Sequence, residues 1–174
     1  MTRDDLIGRI CETALQRGKF TLRSGRTSHY YLDKYLFETQ PDILEALGEL
    51  FSHRVDDSVT RLAGPELGGI PLVTATSLAT GKPSVYIRNQ KKSYGTNNQI
   101  EGDLEPSDQV MIVEDIATSG GQVIEAANVI RKIGAQVVKI VAAIDREEGA
   151  RENIEGAGYA FESLFTKTDL GIDD

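Results

Sequence analysis

Glu114 and Asp115 stand side by side after the apolar run 110–113, and Thr118, Ser119, Gly120 and Gly121 follow almost at once. Paired carboxylates accept hydrogen bonds from hydroxyls and stabilise positive charge that develops nearby. A loop of small and hydroxyl residues that opens a helix presents unpaired backbone N–H groups, and the helix dipole favours an anion there, typically a phosphate. The glycines let the backbone approach closely. Carboxylates next to a phosphate would repel it unless something lay between, and sugar hydroxyls suit that place. The segment therefore reads as a site for a phosphorylated sugar. No Lys follows the glycines, which excludes the triphosphate-gripping P-loop, and G-x-G-x-x-G does not occur. Taken alone, the segment also fits an acidic strand end that caps a helix.

Three further stretches carry side chains suited to chemistry. Residues 81–100 contain Lys82, Arg88, Lys91 and Lys92 and no acid, a local excess of positive charge in a chain of net charge −8. Such a run suits a segment that closes over a polyanion, or a solvated basic hairpin. In "IDREEG" (144–149), the planar guanidinium of Arg146 suits a carboxylate ligand, although a solvated charged turn reads the same way. The pair Tyr30-Tyr31 fits either a core or a site. The lone Cys11 cannot form an internal disulfide and falls on the stripe Ile7, Cys11, Leu15, so it reads as core.

These residues need a frame, and the pattern supplies one. Residues 4–17 read as a helix, 20–35 as short strands around a turn, and 42–54 as a second helix with Pro41 at its start. Beyond that, strands and helices alternate. "RLAG", "SVYI", "QVMIV" and "QVVKIVAAI" are strands, while 69–81 and 120–134 are helices, the latter with Val123, Ala127 and Ile130 on one face and Gly134 as its stop. Alternation of this kind predicts an α/β fold with a parallel sheet flanked by helices. In an open parallel sheet, ligands bind outside the carboxyl ends of the strands, which is where Glu114 and Asp115 are expected.

A chain of 174 residues suits a single domain, 1–174, with residues 1–40 as a small appendage. No apolar run reaches the ~18 residues of a membrane span, and the first residues lack a signal peptide's apolar centre, so the cytoplasm is expected. The net charge and a pI near 4.8 argue against general nucleic-acid binding. Arg (11) outnumbers Lys (8), which fits a salt-loving source as well as it fits an ordinary acidic cytosolic protein.

"VMIVEDIATSGG" resembles the signature with which type I phosphoribosyltransferases bind phosphoribosyl pyrophosphate (PRPP). The resemblance implies that Glu114 and Asp115 contact the ribose 2- and 3-hydroxyls, and that Ala117, Thr118, Ser119, Gly120 and Gly121 wrap the 5-phosphate, with Ile116 also at the PRPP site. "YIRNQKKSYGTNNQIEG" is similar to the mobile catalytic loop of the orotate phosphoribosyltransferase family, archaeal members included. That implies PRPP contacts from Arg88, Lys91, Lys92 and Tyr94, with Lys92 joining Glu114 and Asp115 in catalysis. "GPELGGIP" matches the pyrophosphate loop, which brings in Glu66, Leu67 and Gly68 and a cis peptide at Glu66–Leu67. "GKFTLRSGRTSHYYLDKY" looks like the family's N-terminal hood, and "IDREEG" like its D-R-x-E-G stretch. Together they imply an orotate site of Arg23, Tyr31, Thr118 and Arg146. The family further implies transfer of phosphoribosyl from PRPP to orotate in pyrimidine synthesis. It also implies Mg²⁺ held mainly by PRPP, and a homodimer whose lid reaches the partner's site.

The chain departs from the family at five places, one of them Glu114, where the first acid of the pair is more usually Asp. Many members have Lys where Gly68, Asn89 and Arg23 stand, and His where Tyr94 stands, which leaves fewer ammonium groups for PRPP. A purine phosphoribosyltransferase would leave the hood and "DREEG" unexplained. A PRPP-sensing regulator would be expected to carry a nucleic-acid-binding element, and no segment is spare for one.

Overall fold

The computed structural model describes residues 1–21, 27–90 and 99–172. Thr2 caps α1 (Arg3–Ala14) in a capping box with Asp5. The helix stops earlier than the apolar stripe predicts. Leu15 turns into β1 (Leu15–Thr21), which pairs antiparallel with β2 (Thr27–Leu32) through Leu15–Leu32 and Gln16–Tyr31. The gain from this ladder outweighs one more helical turn over Gln16 and Arg17. Asp33 then caps a short helix, α2 (Lys34–Glu38), by accepting from the Tyr35 N–H. Pro41 opens α3 (Pro41–Ser52), as predicted.

The main sheet contains β3 (Arg61–Pro65), β4 (Ser84–Ile87), β5 (Ile100–Glu101), β6 (Gln109–Ala117), β7 (Gln136–Asp145) and β8 (Phe161–Thr166) in the order β5-β4-β3-β6-β7-β8. All neighbouring pairs are parallel except β4–β5. The antiparallel edge strand β5, the helix α6 (Ala150–Gly156) and β8 were not anticipated. Helices α4 (Gly69–Thr80) and α5 (Gly121–Ile133) end on the left-handed glycines Gly81 and Gly134.

Apolar residues cover both faces of the sheet. Met111 and Val113 of β6 join a cluster with Leu6, Ile10, Phe37 and Phe51, whereas Val110 and Ile112 join one with Val123, Ala127 and Ile154. Cys11 packs half-buried against the first cluster. The chain leaves β3 toward β4 on one side and later returns to β6 on the other. The carboxyl ends of β3 and β6 therefore flank a topological switch point, where a crevice opens.

Candidate active site

β6 carries the two acids into that crevice. The strand runs on to Ala117, so Glu114 and Asp115 lie just inside its end and not after it. Alternation along the strand puts Asp115 on the side of Met111 and Val113, facing α2, and Glu114 on the other. Both are buried. Asp115 Oδ1 accepts from its neighbour's backbone, the Ile116 N–H, and Oδ2 accepts from Lys34 Nζ at 2.5 Å. Glu114 Oε1 accepts the Asp115 N–H at 3.0 Å. Burial, and then the Asp115 charge, hold the Glu114 carboxyl well above the usual carboxylate range.

From Ala117 the chain wraps a cavity of about 290 Å³, lined by residues 114–123 together with Lys34 and Arg146. Two long-range hydrogen bonds hold the loop. Arg146 N–H donates to the Ala117 carbonyl at 2.9 Å, and Asn153 Nδ2 donates to the Ser119 carbonyl at 2.8 Å. Gly120 sits at φ 78°, and a Cβ there would come within 2.8 Å of Ile154 Cγ1, so only glycine fits. The first N–H groups of α5 lie at this loop and are free to hold an anion. Thr118 and Ser119 line the same wall. The whole run from Ile116 to Gly121 thus comes together as the sequence predicts.

Two site residues have no counterpart in the sequence reading. Lys34 and Glu38 are a turn apart on α2, and both face Asp115. Glu38 is only 2 % exposed, and neither of its carboxylate oxygens has a hydrogen-bond partner. Burial, followed by the Asp115 charge, pushes its carboxyl up to about 8, against an opposing pull from Lys34. Burial acts to lower the Lys34 pKa, but the charge of Asp115 and its hydrogen bond outweigh that and raise it. Gly68, at the end of the loop after β3, completes the cluster. A Cβ on it would run into Asp115 Oδ2 and stand 2.8 Å from Glu38 Oε1.

On the opposite side of the cavity, Arg146 donates to the Tyr30 hydroxyl at 2.9 Å and pairs with Glu148 at 2.9 Å. Its Cζ lies 5.4 Å from the centre of the Tyr30 ring, and its Nε is buried without a partner. The hood tyrosine brought to Arg146 is therefore Tyr30. Tyr31, which the sequence points to, is 44 % exposed and stacks on Phe20 at 5.8 Å.

The Glu66–Leu67 peptide bond is cis, as expected, and Leu67 is exposed. Glu66 Oε1 accepts the Asn89 N–H at 2.7 Å, and Asn89 Oδ1 accepts from Gln122 Nε2 at 2.8 Å. Asn89 thus ties the loop after β3 to the start of α5. Arg88 is not among the residues lining the cavity; it pairs with Glu101 at 3.4 Å across the β4–β5 hairpin. Arg23, Lys91, Lys92 and Tyr94 lie outside the described residues.

Comparison with known proteins gives this geometry a context. Residues 37–163 match the family described as phosphoribosyl transferase domain. The orotate phosphoribosyltransferase of Haloquadratum walsbyi is 44 % identical over 174 residues, covering 99 % of this chain and 94 % of that one. That of Thermococcus gammatolerans is 42 % identical over 172 residues, covering 97 % and 91 %. Among solved structures, the orotate phosphoribosyltransferase of Mycobacterium tuberculosis in complex with PRPP superposes with a TM-score of 0.82. It is 29 % identical and covers 97 % of this chain and 98 % of that chain.

Proposed function

The chain belongs to the phosphoribosyl transferase family and has its type I fold, and from that premise we propose that it transfers the 5-phosphoribosyl group of PRPP to orotate, giving orotidine 5-monophosphate and pyrophosphate in pyrimidine synthesis. The observation that carries the choice of base is Arg146. Arg146 lines the same cavity as the phosphate cradle, and its buried Nε has no partner in the protein. A buried donor left unpaired costs free energy that a ligand carboxylate would recover, and orotate brings a carboxylate.

In this reading the 5-phosphate sits on residues 116–121, and Glu114 and Asp115 hold the ribose hydroxyls. Glu114, which keeps its proton more readily than an ordinary carboxyl, donates to a sugar oxygen, while Asp115 accepts. The bond from C1 to the diphosphate oxygen breaks and leaves an oxocarbenium-like sugar, as in glycoside transfer. The Asp115 carboxylate stabilises that charge. A ring nitrogen of orotate then adds at C1 and gives up its proton. Glu66, Leu67 and Gly68 border the leaving diphosphate, and Arg88, Lys91, Lys92 and Tyr94 supply the lid. Arg23, Tyr31 and Thr118 complete the orotate side, with Tyr30 orienting Arg146.

Among the described residues no three His, Cys, Asp or Glu side chains are grouped to hold a metal. The Asp115 carboxylate is a hard oxygen donor of the type magnesium accepts alongside substrate phosphates, so the site fits an ion that is held mainly by PRPP. Such an ion neutralises charge on the departing pyrophosphate. We read residues 1–40 as a hood on a single domain and the active unit as a homodimer whose lid reaches the partner's site. No described helix is long and apolar enough to cross a membrane, and we read the chain, as an enzyme of pyrimidine synthesis, as cytoplasmic.

A panel of orotate, uracil, adenine, guanine and hypoxanthine, assayed with PRPP and magnesium for pyrophosphate release, tests the reading. Orotate alone should support turnover. Release driven by a purine, and not by orotate, would refute it.

A further inference from the structure

Both oxygens of Asp115 are engaged within the protein, and the two bonds differ in kind. The bond to Oδ1 comes from the adjacent backbone N–H of Ile116 and moves with the strand. The bond to Oδ2 comes from Lys34, at the end of a long side chain on another element. If Asp115 takes a ribose hydroxyl, Lys34 is the partner that gives way.

The freed ammonium group would not enter solvent at random. The Lys34 side chain is 31 % exposed, on the wall of the cavity that holds the phosphate cradle. Among the described residues lining that cavity, the cations are Lys34 and Arg146, and Arg146 is already held by Tyr30 and Glu148. The loop after β3 offers no cation of its own. Its ionisable side chain is the anionic Glu66, bound to the Asn89 N–H. Gly68 has no side chain, and one would collide with the oxygen that Lys34 holds. Burial and the Asp115 charge favour the neutral forms of Glu38 and Glu114, the further carboxyls near Lys34.

We propose that Lys34 is a diphosphate-binding residue held in reserve on Asp115: arrival of the ribose hydroxyl at Asp115 releases the ammonium group, which then binds the diphosphate oxygens of PRPP. This rests on the phosphoribosyl-transfer reading and adds a residue to it. The release makes diphosphate binding dependent on the sugar being in place.

The two ligand halves test the idea separately. Ribose 5-phosphate is titrated calorimetrically into the full chain and into Lys34→Met, and magnesium pyrophosphate is titrated into each with and without saturating ribose 5-phosphate. With ribose 5-phosphate in place, loss of a charge-assisted contact should weaken pyrophosphate about ten- to hundred-fold in the variant, whereas without it pyrophosphate should bind both chains alike. Ribose 5-phosphate should bind as well as before or more tightly, because its competitor for Asp115 is gone. Lys34→Arg, which keeps the charge, should restore most of the pyrophosphate affinity. Equal weakening of both ligands would make Lys34 only a counter-ion for Asp115, and unchanged pyrophosphate binding with ribose 5-phosphate present would remove it from the site; either result overturns the proposal. Should Lys34→Met not fold, as judged by thermal unfolding, Lys34→Gln carries the same test. If the unchanged chain binds neither PRPP nor pyrophosphate, the phosphoribosyl-transfer reading itself falls.

Discussion

The guanidinium of Arg146 donates to the hydroxyl of Tyr30 at 2.9 Å, a bond that joins residues 116 positions apart and links the hood to the loop after β7. It holds the guanidinium at the cavity while its Nε stays buried and without a partner in the protein. Arg146→Ala should therefore raise KM for orotate far more than KM for PRPP. Tyr30→Phe removes one hydrogen bond, net about 0.5–1.5 kcal/mol, and should raise KM for orotate only severalfold. Steady-state kinetics with each substrate varied in turn will check both. Equal effects on the two substrates would make Arg146 a structural residue.

Asp115→Asn keeps the shape of the side chain and loses its charge. If the carboxylate holds a ribose hydroxyl, the loss of about 1.5–3 kcal/mol lowers kcat/KM roughly ten- to hundred-fold. An unchanged kcat/KM would remove Asp115 from the reaction.

Glu38 gives a pH signature. Its carboxyl is raised from 4.5 to about 8 in the folded chain, so the native state binds a proton that the unfolded chain has lost at neutral pH. The stability that this proton contributes is complete below the unfolded pKa and is lost as pH rises through the folded one. Urea unfolding should thus show stability falling with pH between those limits, with a slope from this group of at most about 1.4 kcal/mol per pH unit. Glu114, also raised, adds a slope of the same sign. Glu38→Gln should flatten the profile and be relatively more stable at alkaline pH. A profile unchanged by the substitution would mean that Glu38 titrates as an ordinary carboxyl.

The segment 109–134 was legible because its strand, loop and helix are contiguous, so the residues that form the cradle are neighbours in sequence. Lys34 and Glu38 were not. A helix of five residues is too short to show periodicity, and the bond from Lys34 to Asp115 spans 81 positions that only the packed hood brings together. Tyr30 and Tyr31 differ by one residue, and in a strand one residue changes the face; the pairing of Arg17 with Tyr30 decides what the sequence leaves open. Leu15 continues the spacing of Ile7 and Cys11, so the end of α1 was hidden until Leu15 was seen paired with Leu32.

Assembly has its own test. Lys92→Ala and Asp115→Asn, each nearly inactive, are unfolded and refolded together in equal amounts. If each lid serves the partner's site, one site of every mixed dimer has both residues intact, and recovery should approach about a quarter of full activity by the counting for a two-fold dimer. If each lid serves its own subunit, nothing is regained, and the shared-site arrangement is rejected.

The central claim is that a phosphorylated sugar held by residues 114–121 is transferred to a base whose carboxylate meets Arg146. Product analysis tests it most directly. The chain is incubated with PRPP, magnesium and orotate, and the mixture is resolved by mass spectrometry against standards. The account predicts orotidine 5-monophosphate and pyrophosphate in equal amounts, with little product when uracil replaces orotate. PRPP consumed while orotate remains intact, or uracil converted as readily as orotate, would contradict it.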